Sequence, residues 1–296
     1  MPFIGELSAL AAALLWSFSS FLFTTASIRI GSIQLNISRM ILAAILLVIT
    51  IVLFNIDYDI SFTQFYLLSI SGFIGLVIGD TFLFRSFKEI GPRVSMLIMS
   101  ANPAIAAILA YFILGEVLSI WAILGIIITI SGISLVILDK RARAVNKFPI
   151  NKIGVFFGFM GAAGQGIGLV FAKMAFHAGD VHSLVATFVR IAAAVVIMLP
   201  AAIAFKKYDN PFKLFFRDRK ALGMVALGSI IGPYLGITFS FLAIIYVQIG
   251  IASTIMATTP ILMLPLSWIF YKEKLTPRAV IGAIIAVIGV ALLFLL

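Results

Sequence analysis

The sequence predicts an all-α polytopic membrane protein, with ten transmembrane helices arranged as two inverted five-helix repeats around a central cavity. Three observations support this fold class. The composition is 63% hydrophobic and only 11% charged, whereas a soluble domain is about half apolar and about a quarter charged. The sequence also contains ten long apolar runs, and it repeats itself at an offset of 157 residues, the separation of Pro103 and Pro260.

The charge and the cysteine content exclude several classes of function. The net charge is +10, but the basic residues lie in loops between apolar runs, where they act as topology signals rather than as a nucleic-acid surface. We therefore expect no nucleic-acid partner. The chain has no cysteine, which rules out disulfides, thiolate metal sites and cysteine nucleophiles.

Each apolar run is long enough to cross a bilayer, which takes about 20 residues. The predicted spans, numbered in chain order, are 3–26, 33–54, 63–84, 92–114, 118–138, 152–176, 183–205, 221–243, 248–271 and 276–296. No Lys or Arg precedes the first run, so we interpret it as a transmembrane helix and not as a signal peptide. The loops are too short for a soluble catalytic domain, and no enzyme is expected.

The residues that punctuate the spans recur in the second half of the chain. Pairs at the offset of 157 are Gly75 with Gly232, Gly79 with Gly236, Pro103 with Pro260, Gly125 with Gly282 and Gly132 with Gly289. Nearer the N-terminus the offset is slightly smaller, so that Arg39 in span 2 matches Arg190 in span 7. We predict two repeats, residues 1–146 and 147–296.

Five spans per repeat is an odd number, so the second repeat must enter the membrane from the opposite side. Inverted repeats are a recurring architecture of secondary transporters, in which the substrate site lies near the bilayer midplane between the repeats. The sequence therefore predicts a transporter.

Two segments in spans 4 and 9 are candidates for moving parts. Pro103 and Pro260 each lie within an apolar run, where a proline is expected to kink the helix and free a backbone carbonyl. We predict that these prolines act as gates. Thirteen residues after each proline lie Glu116 and Glu273, which are expected to be helix caps or interfacial ion pairs.

Four residues beside the prolines are predicted to face a substrate. Asn102 and Thr259 directly precede the prolines, and their side chains could instead bond the freed backbone. Met99 and Met256 suit a cavity that accepts varied apolar groups, although packing in the core is the alternative.

The remaining site predictions rest on polar or aromatic residues in the spans. Trp16 and Gln165 lie at equivalent points of spans 1 and 6, and either could line a cavity or simply pack and bond between helices. Asp80 is the clearest intramembrane carboxylate and could carry a coupling proton, or it could pair with Arg85, Lys88 or Arg93. Ser20 and Tyr234 complete the predicted lining.

Loop charges give the orientation. The basic loops between spans 5 and 6 and between spans 7 and 8 lie on one side, which the positive-inside rule assigns to the cytoplasm, so both termini are expected outside. No nucleotide-binding, zinc-binding or serine-hydrolase motif is present, and no cofactor is expected.

The chain resembles the drug/metabolite transporter superfamily, specifically its EamA-type members. Over essentially the whole chain, the resemblance is carried by Gly79-Asp80-Thr81, Gly91-Pro92, Asn102-Pro103 to Gly115-Glu116, and Thr259-Pro260 to Glu273. It implies a basket of helices in which spans 1, 3, 4, 6, 8 and 9 surround a cavity, spans 5 and 10 lie at the periphery, and rocking alternates access. Termini in the cytoplasm, as is usual in this family, would contradict the charge rule.

These observations predict a secondary transporter or exporter of a small organic solute, such as an amino acid, a metabolite or a drug-like compound. Because spans 8 and 9 carry no charged residue, we expect an uncharged or zwitterionic substrate. We expect transport either to be coupled to protons through Asp80 or to be uncoupled. The inner or plasma membrane is the expected location, and a monomer is the expected state. The alternative is a channel-like or scaffold membrane protein without alternating access.

Overall fold

The computed structural model describes residues 3–115, 117–139, 148–247 and 249–295, and every regular element in these ranges is helical. The helices of the first half are Ile4–Ile30, Ser32–Leu53, Phe62–Gly72, Phe73–Gly79, Asp80–Met99, Asn102–Leu114 and Ile120–Ile137. Those of the second half are Lys152–His177, Ser183–Ala204, Pro211–Arg217, Arg219–Ser229, Ile230–Gly236, Ile237–Tyr246, Ile249–Met256, Thr259–Tyr271 and Pro277–Leu295. The predicted all-helical membrane fold is confirmed.

Nine helices in the described ranges are long and apolar enough to cross a membrane, and Asn102–Leu114 is a shorter apolar helix. One of the nine, Phe62–Met99, has 38 residues and is interrupted at Gly91, where φ is 76° and ψ is 166°. The hydroxyls of Ser86 and Ser95 lie 2.7 Å apart across this break. In a continuous helix, nine residues would advance about 13.5 Å. The chain therefore folds back at Gly91, which separates span 3 from span 4.

The connection between spans 3 and 4 is shorter than predicted. Residues 85–90 continue the helix of span 3, so that Gly91 and Pro92 alone make the turn. Glycine is required here because the backbone is left-handed and an added Cβ would lie 2.8 Å from the ring of Phe148.

At both predicted gate prolines the helix is interrupted for two residues, and Ala101 and Thr258 keep right-handed helical dihedral angles there. Span 4 ends one helix at Met99 and begins the next at Asn102, with Pro103 in its first turn. Span 9 does the same, with helices Ile249–Met256 and Thr259–Tyr271 and with Pro260 in the first turn of the second. Proline, which has no backbone N–H, is tolerated at this position because an N–H in the first helical turn has no intrahelical acceptor. The interruption is a two-residue break.

Each half also contains a π-helical segment that the sequence did not indicate. Phe73–Gly79 in span 3 and Ile230–Gly236 in span 8 are both seven residues long and lie 157 residues apart. Short π-helical stretches within α-helices are frequent at functional sites. Asp80 follows the first segment directly.

Spans 5 and 10 pack closely through two reciprocal pairs of glycines. A Cβ at Gly125 would lie 2.6 Å from the carbonyl of Gly289, and a Cβ at Gly132 would lie 2.6 Å from the carbonyl of Gly282. Because Gly282 and Gly289 are the repeat equivalents of Gly125 and Gly132, each residue contacts the counterpart of the other. This reciprocal contact is the geometry of a two-fold relationship between the halves.

With ten spans, the start of span 1 and the end of span 10 lie on the same face of the membrane. The face that carries the loop 54–61 and the N-terminal end of span 1 is here called the terminal side. The face that carries the loop 205–218 and the turns at Gly91 and at 272–276 is called the basic side.

Candidate functional site

A cavity of about 410 Å³ lies between the two halves, which is within the usual range for small-molecule sites. Its described lining comes from spans 1, 2, 3 and 4 of the first half and from spans 6, 7 and 8 of the second. The resemblance implied spans 1, 3, 4, 6, 8 and 9. Spans 2 and 7 therefore replace span 9, which contributes no residue to the described lining.

The structure brings six of the nine predicted site residues together on this cavity. They are Trp16, Ser20, Asp80, Met99, Asn102 and Gln165. The remaining three, Tyr234, Met256 and Thr259, are not among its described lining residues. Tyr234 turns towards span 2, where its hydroxyl bonds Thr50 at 2.8 Å, and its neighbour Pro233 lines the cavity instead.

Thr259 and Met256 are occupied by the helix break in span 9. The hydroxyl of Thr259 donates to the carbonyl of Met256 at 2.8 Å, which satisfies a carbonyl at the end of the preceding helix. The Met256 side chain packs against a small core that contains Ala9 and Ala252. Asn102, at the equivalent point of span 4, lines the cavity, and its Oδ1 is buried without a hydrogen-bond partner among the described residues.

Asp80 is held from both halves of the protein. Arg39 forms a buried ion pair with one carboxylate oxygen, and the amide of Gln165 donates to the other. The Gln165 amide also contacts the carbonyl of Gly75 in the π-helical segment at 3.3 Å. The partner of Asp80 is therefore Arg39 and none of the three basic residues Arg85, Lys88 and Arg93 near it in sequence. A buried carboxylate is tolerated because both of its oxygens are paired.

Arg39 is itself fixed by three further contacts. Its Nε donates to Oδ1 of Asn36 at 3.1 Å, and its guanidinium lies 4.8 Å from the ring centroid of Phe84 and 5.6 Å from that of Phe23. Asn36 in turn donates to the carbonyl of Leu76, which belongs to the first π-helical segment. The π-helical segment thus supplies backbone carbonyls that bind the side chains around Asp80.

Arg190 enters the same cavity from span 7 but has none of these partners. No described residue forms an ion pair with it, and its buried Nε has no hydrogen-bond partner. Asp80 is the charge that acts on it electrostatically. Its Nη2 and the Oε1 of Gln165 would lie 3.4 and 3.5 Å from a Cβ added at Gly75, so the two side chains meet above that glycine.

Arg39 and Arg190 are site residues that the sequence reasoning did not identify. The signal was present, because the two arginines match in the repeat and each lies about two turns inside an apolar run. They lie in the first turns of helices that begin at Ser32 and Ser183, where a basic residue is ordinarily a topology signal. Arg39 lies nearer the basic side and Arg190 nearer the terminal side.

The end of the cavity towards the basic side is closed by buried groups. Phe84 and Phe87 in the lining are only 2% and 1% exposed. Beyond them Arg93 and Glu273 form a buried ion pair between the two halves at 2.7 Å, which confirms the predicted ion pair for Glu273. Glu116 lies outside the described residues. At the other end, Leu169 in the lining is 42% exposed.

A second contact joins the halves at the basic surface. Arg29 at the end of span 1 donates two hydrogen bonds, of 2.8 and 2.9 Å, to the carboxylate of Asp218. These bonds, together with one from the backbone N–H of Ala221, lower the pKa of Asp218 below its ordinary value. The pair is exposed to solvent, so its contribution to stability is small.

Two halves that share a cavity containing buried charges, within a bundle of apolar helices, define a membrane transporter of small solutes. The sequence comparison agrees. The EamA-like transporter family matches the chain twice, over residues 3–138 and over residues 152–295. The protein belongs to this family, and the predicted resemblance is confirmed.

The comparison with solved structures supports the fold alone. A crystal structure described only as that of a protein matches with a TM-score of 0.65 and 21% sequence identity, and the match covers 98% of this chain and 96% of the other. No curated protein sequence matches the chain.

Proposed function

We propose that the protein is a secondary transporter that carries a small organic solute across the membrane by alternating access. The observation that carries this proposal is the cavity of about 410 Å³ lined by both halves, with Asp80 bridged between Arg39 of one half and Gln165 of the other. A relative movement of the halves must change this network. Because Asp80, Arg39 and Gln165 line the cavity, the network couples the movement to what the cavity contains. Amino acids, metabolites and drug-like compounds are the solute types that fit the family and the volume.

In this proposal the two repeats, residues 1–146 and 147–296, rock against each other, and the present conformation is closed towards the basic side. The buried rings of Phe84 and Phe87 and the ion pair between Arg93 and Glu273 support this assignment. The breaks before Pro103 and Pro260 act as hinges. The inner or plasma membrane is the proposed location, with the basic side in the cytoplasm, and the proposed working unit is a monomer.

Cysteine labelling tests alternating access without knowledge of the substrate, because the chain has no cysteine of its own. Single cysteines at Met99 and Thr187, both in the cavity lining, are treated with a membrane-impermeant maleimide from one side of sealed vesicles at a time. Cysteines at the exposed loop positions Asp59 and Lys207 report which side the reagent has reached. We expect both lining positions to be labelled from both sides.

The substitution Glu273→Gln sharpens this experiment because it weakens the closure of the basic side. Alternating access predicts that labelling from the basic side rises while labelling from the terminal side falls. A channel would show no such exchange, and a static scaffold would be labelled from one side at most in either background. Either pattern would contradict the proposal.

We also propose that Asp80 carries the coupling proton. Protonation would remove the charge that holds Arg39 and would release the network that joins the halves. Asp80→Asn is expected to abolish solute uptake driven by a pH gradient in proteoliposomes, whereas exchange of solute without a gradient continues. Retained uptake with an unchanged pH profile would contradict coupling through Asp80.

A further inference from the structure

The charges in the cavity do not balance. The ionisable side chains in the described lining are Arg39, Asp80 and Arg190, which together carry one surplus positive charge. Asp80 is already paired with Arg39. A charge in an apolar membrane interior is costly unless it is compensated, and its interaction with an opposite charge there is much stronger than in water.

Arg190 is the member of this set that is prepared to bind an anion. Its buried Nε has no partner in the described chain, and the close approach of span 6 to Gly75 fixes the neighbouring Gln165 amide beside it. A guanidinium presents two parallel N–H groups that match the two oxygens of a carboxylate. A guanidinium in the cavity lining whose buried Nε has no acceptor in the described chain can thus take its acceptor from a ligand.

The rest of the lining defines the body of the ligand. Trp16, Phe23, Phe84, Phe87, Met96 and Met99 form apolar walls with aromatic faces. Asn102 adds an amide whose oxygen has no donor in the described structure, and which can accept a hydrogen bond from a hydroxyl of the ligand. The walls exclude a strongly hydrated ligand but accept an aromatic or aliphatic body.

We propose that the transported solute is an organic monoanion, with a carboxylate bound by Arg190, an apolar or aromatic body against the walls, and a hydrogen-bond donor for Asn102. This inference rests on the proposed transport function and specifies its substrate class. It changes the expectation of an uncharged or zwitterionic solute, which was based on the absence of charge in spans 8 and 9. The charge of the site comes instead from spans 2 and 7.

Four compounds of nearly the same shape separate the contributions of charge. 3-Phenyllactate has a carboxylate and a hydroxyl, and phenylalanine has a carboxylate and an ammonium group. 3-Phenylpropane-1,2-diol and phenylalaninol replace the carboxylate by a neutral hydroxymethyl group. Binding to the full chain in lipid nanodiscs is measured by calorimetry, and the shift of the unfolding midpoint is measured as a second readout.

We expect 3-phenyllactate to bind about tenfold or more tightly than the diol, and phenylalaninol, the cation, to bind least well. In Arg190→Gln the advantage of the carboxylate over the hydroxymethyl group is expected to disappear. Arg85→Gln is the matched control, because it removes an arginine from span 3 whose guanidinium lies over Phe157 outside the described cavity lining. This control is expected to keep the wild-type order of affinities.

Any of three results with 3-phenyllactate would overturn the proposal. They are equal affinity for 3-phenyllactate and the diol, a carboxylate advantage that survives in Arg190→Gln, and no binding of 3-phenyllactate at all. Tighter binding of phenyl phosphate, as a dianion, would also contradict a site with one surplus charge. The labelling of single cysteines needs no ligand, so the transport proposal can stand or fail independently of these results.

Discussion

Arg39 and Arg190 occupy equivalent positions in the two halves, but their surroundings differ. Arg39 has a carboxylate, an amide and two aromatic rings as partners, whereas Arg190 has an unpaired Nε and faces the cavity. The carboxylate partner is absent from the second half because the repeat equivalent of Asp80 is Ile237. The halves share a scaffold and differ in their charges, and a charge asymmetry within a symmetric scaffold is what creates a binding site for an anion.

The largest difference between the halves is expected when each arginine is replaced by methionine. Arg39→Met leaves the buried carboxylate of Asp80 without its paired guanidinium, and removing one partner of a buried ion pair costs about 3–5 kcal/mol. Arg190→Met removes a buried nitrogen that has no partner, so the free energy of unfolding should stay the same or rise. Equilibrium unfolding of both variants in one detergent provides the comparison. A double variant, Arg39→Met with Asp80→Leu, should recover most of the loss, and equal losses in the two single variants would contradict different roles.

The shared scaffold should respond equally in both halves. Gly132→Ala and Gly289→Ala each place a Cβ against backbone atoms of the opposite span, and each should lower the free energy of unfolding by about 1–3 kcal/mol. Gly223 is the control, because no heavy atom lies within 4 Å of its added Cβ. Gly223→Ala in this helix should gain about 0.5–1 kcal/mol. A loss confined to one half would show that the contact between spans 5 and 10 is not reciprocal.

A smaller difference is expected at the two helix breaks. Thr259→Ala removes the hydroxyl that bonds the carbonyl of Met256, at a cost of about 0.5–1.5 kcal/mol. Asn102→Ala removes an amide oxygen with no described partner and should cost less or nothing. The midpoint of thermal unfolding compares the two variants. If Asn102→Ala destabilised the protein more than Thr259→Ala, the Asn102 side chain would have a structural role and would not be reserved for a ligand.

The smallest effect concerns the exposed contact between Arg29 and Asp218. The folded-state pKa of Asp218 lies below its ordinary value of 3.8, mainly because of the hydrogen bonds from Arg29. The stabilisation is therefore present above the ordinary pKa and is lost as the pH falls through the lower folded value. Asp218→Asn should reduce the unfolding midpoint slightly at pH 7 and should show a shallower fall between pH 5 and about pH 3 than the wild type. For the control Asp57→Asn, in an exposed loop of the terminal side, the plot of unfolding midpoint against pH should run parallel to that of the wild type. A parallel plot for Asp218→Asn would contradict the assigned pKa shift of Asp218.

The fold followed from the sequence because its signals are local. Apolar runs of the right length predict the spans, and glycines and prolines at a constant offset predict the repeat. The continuation of span 3 to residue 90 was missed because Arg85 and Lys88 suggested a loop, whereas polar residues also suit the last turns of a membrane helix. The prolines indicated the interruptions at residues 100–101 and 257–258, but the sequence does not distinguish a kink from the start of a second helix.

The site could be predicted only in part, because its contacts lie far apart in sequence. The polarity of Asp80 and Gln165 identified them, but nothing local shows that Asp80 pairs with Arg39, 41 residues away, and not with Arg85. The hydroxyl of Tyr234 bonds Thr50 while its neighbour Pro233 lines the cavity, because neighbouring residues face different directions on a helix. The π-helical segments further change the directions in which side chains point, and residue propensities do not predict such segments.

The most direct test of the asymmetry between the halves is to restore the missing carboxylate. Ile237 lines the cavity at the repeat position of Asp80, so Ile237→Asp should neutralise Arg190 as Asp80 neutralises Arg39. Ile237→Asn has the same shape without the charge. We predict that calorimetry will show about a tenfold or greater loss of affinity for 3-phenyllactate in Ile237→Asp and near wild-type affinity in Ile237→Asn. Equal affinity in the two variants would contradict an anion site built on the surplus charge of Arg190.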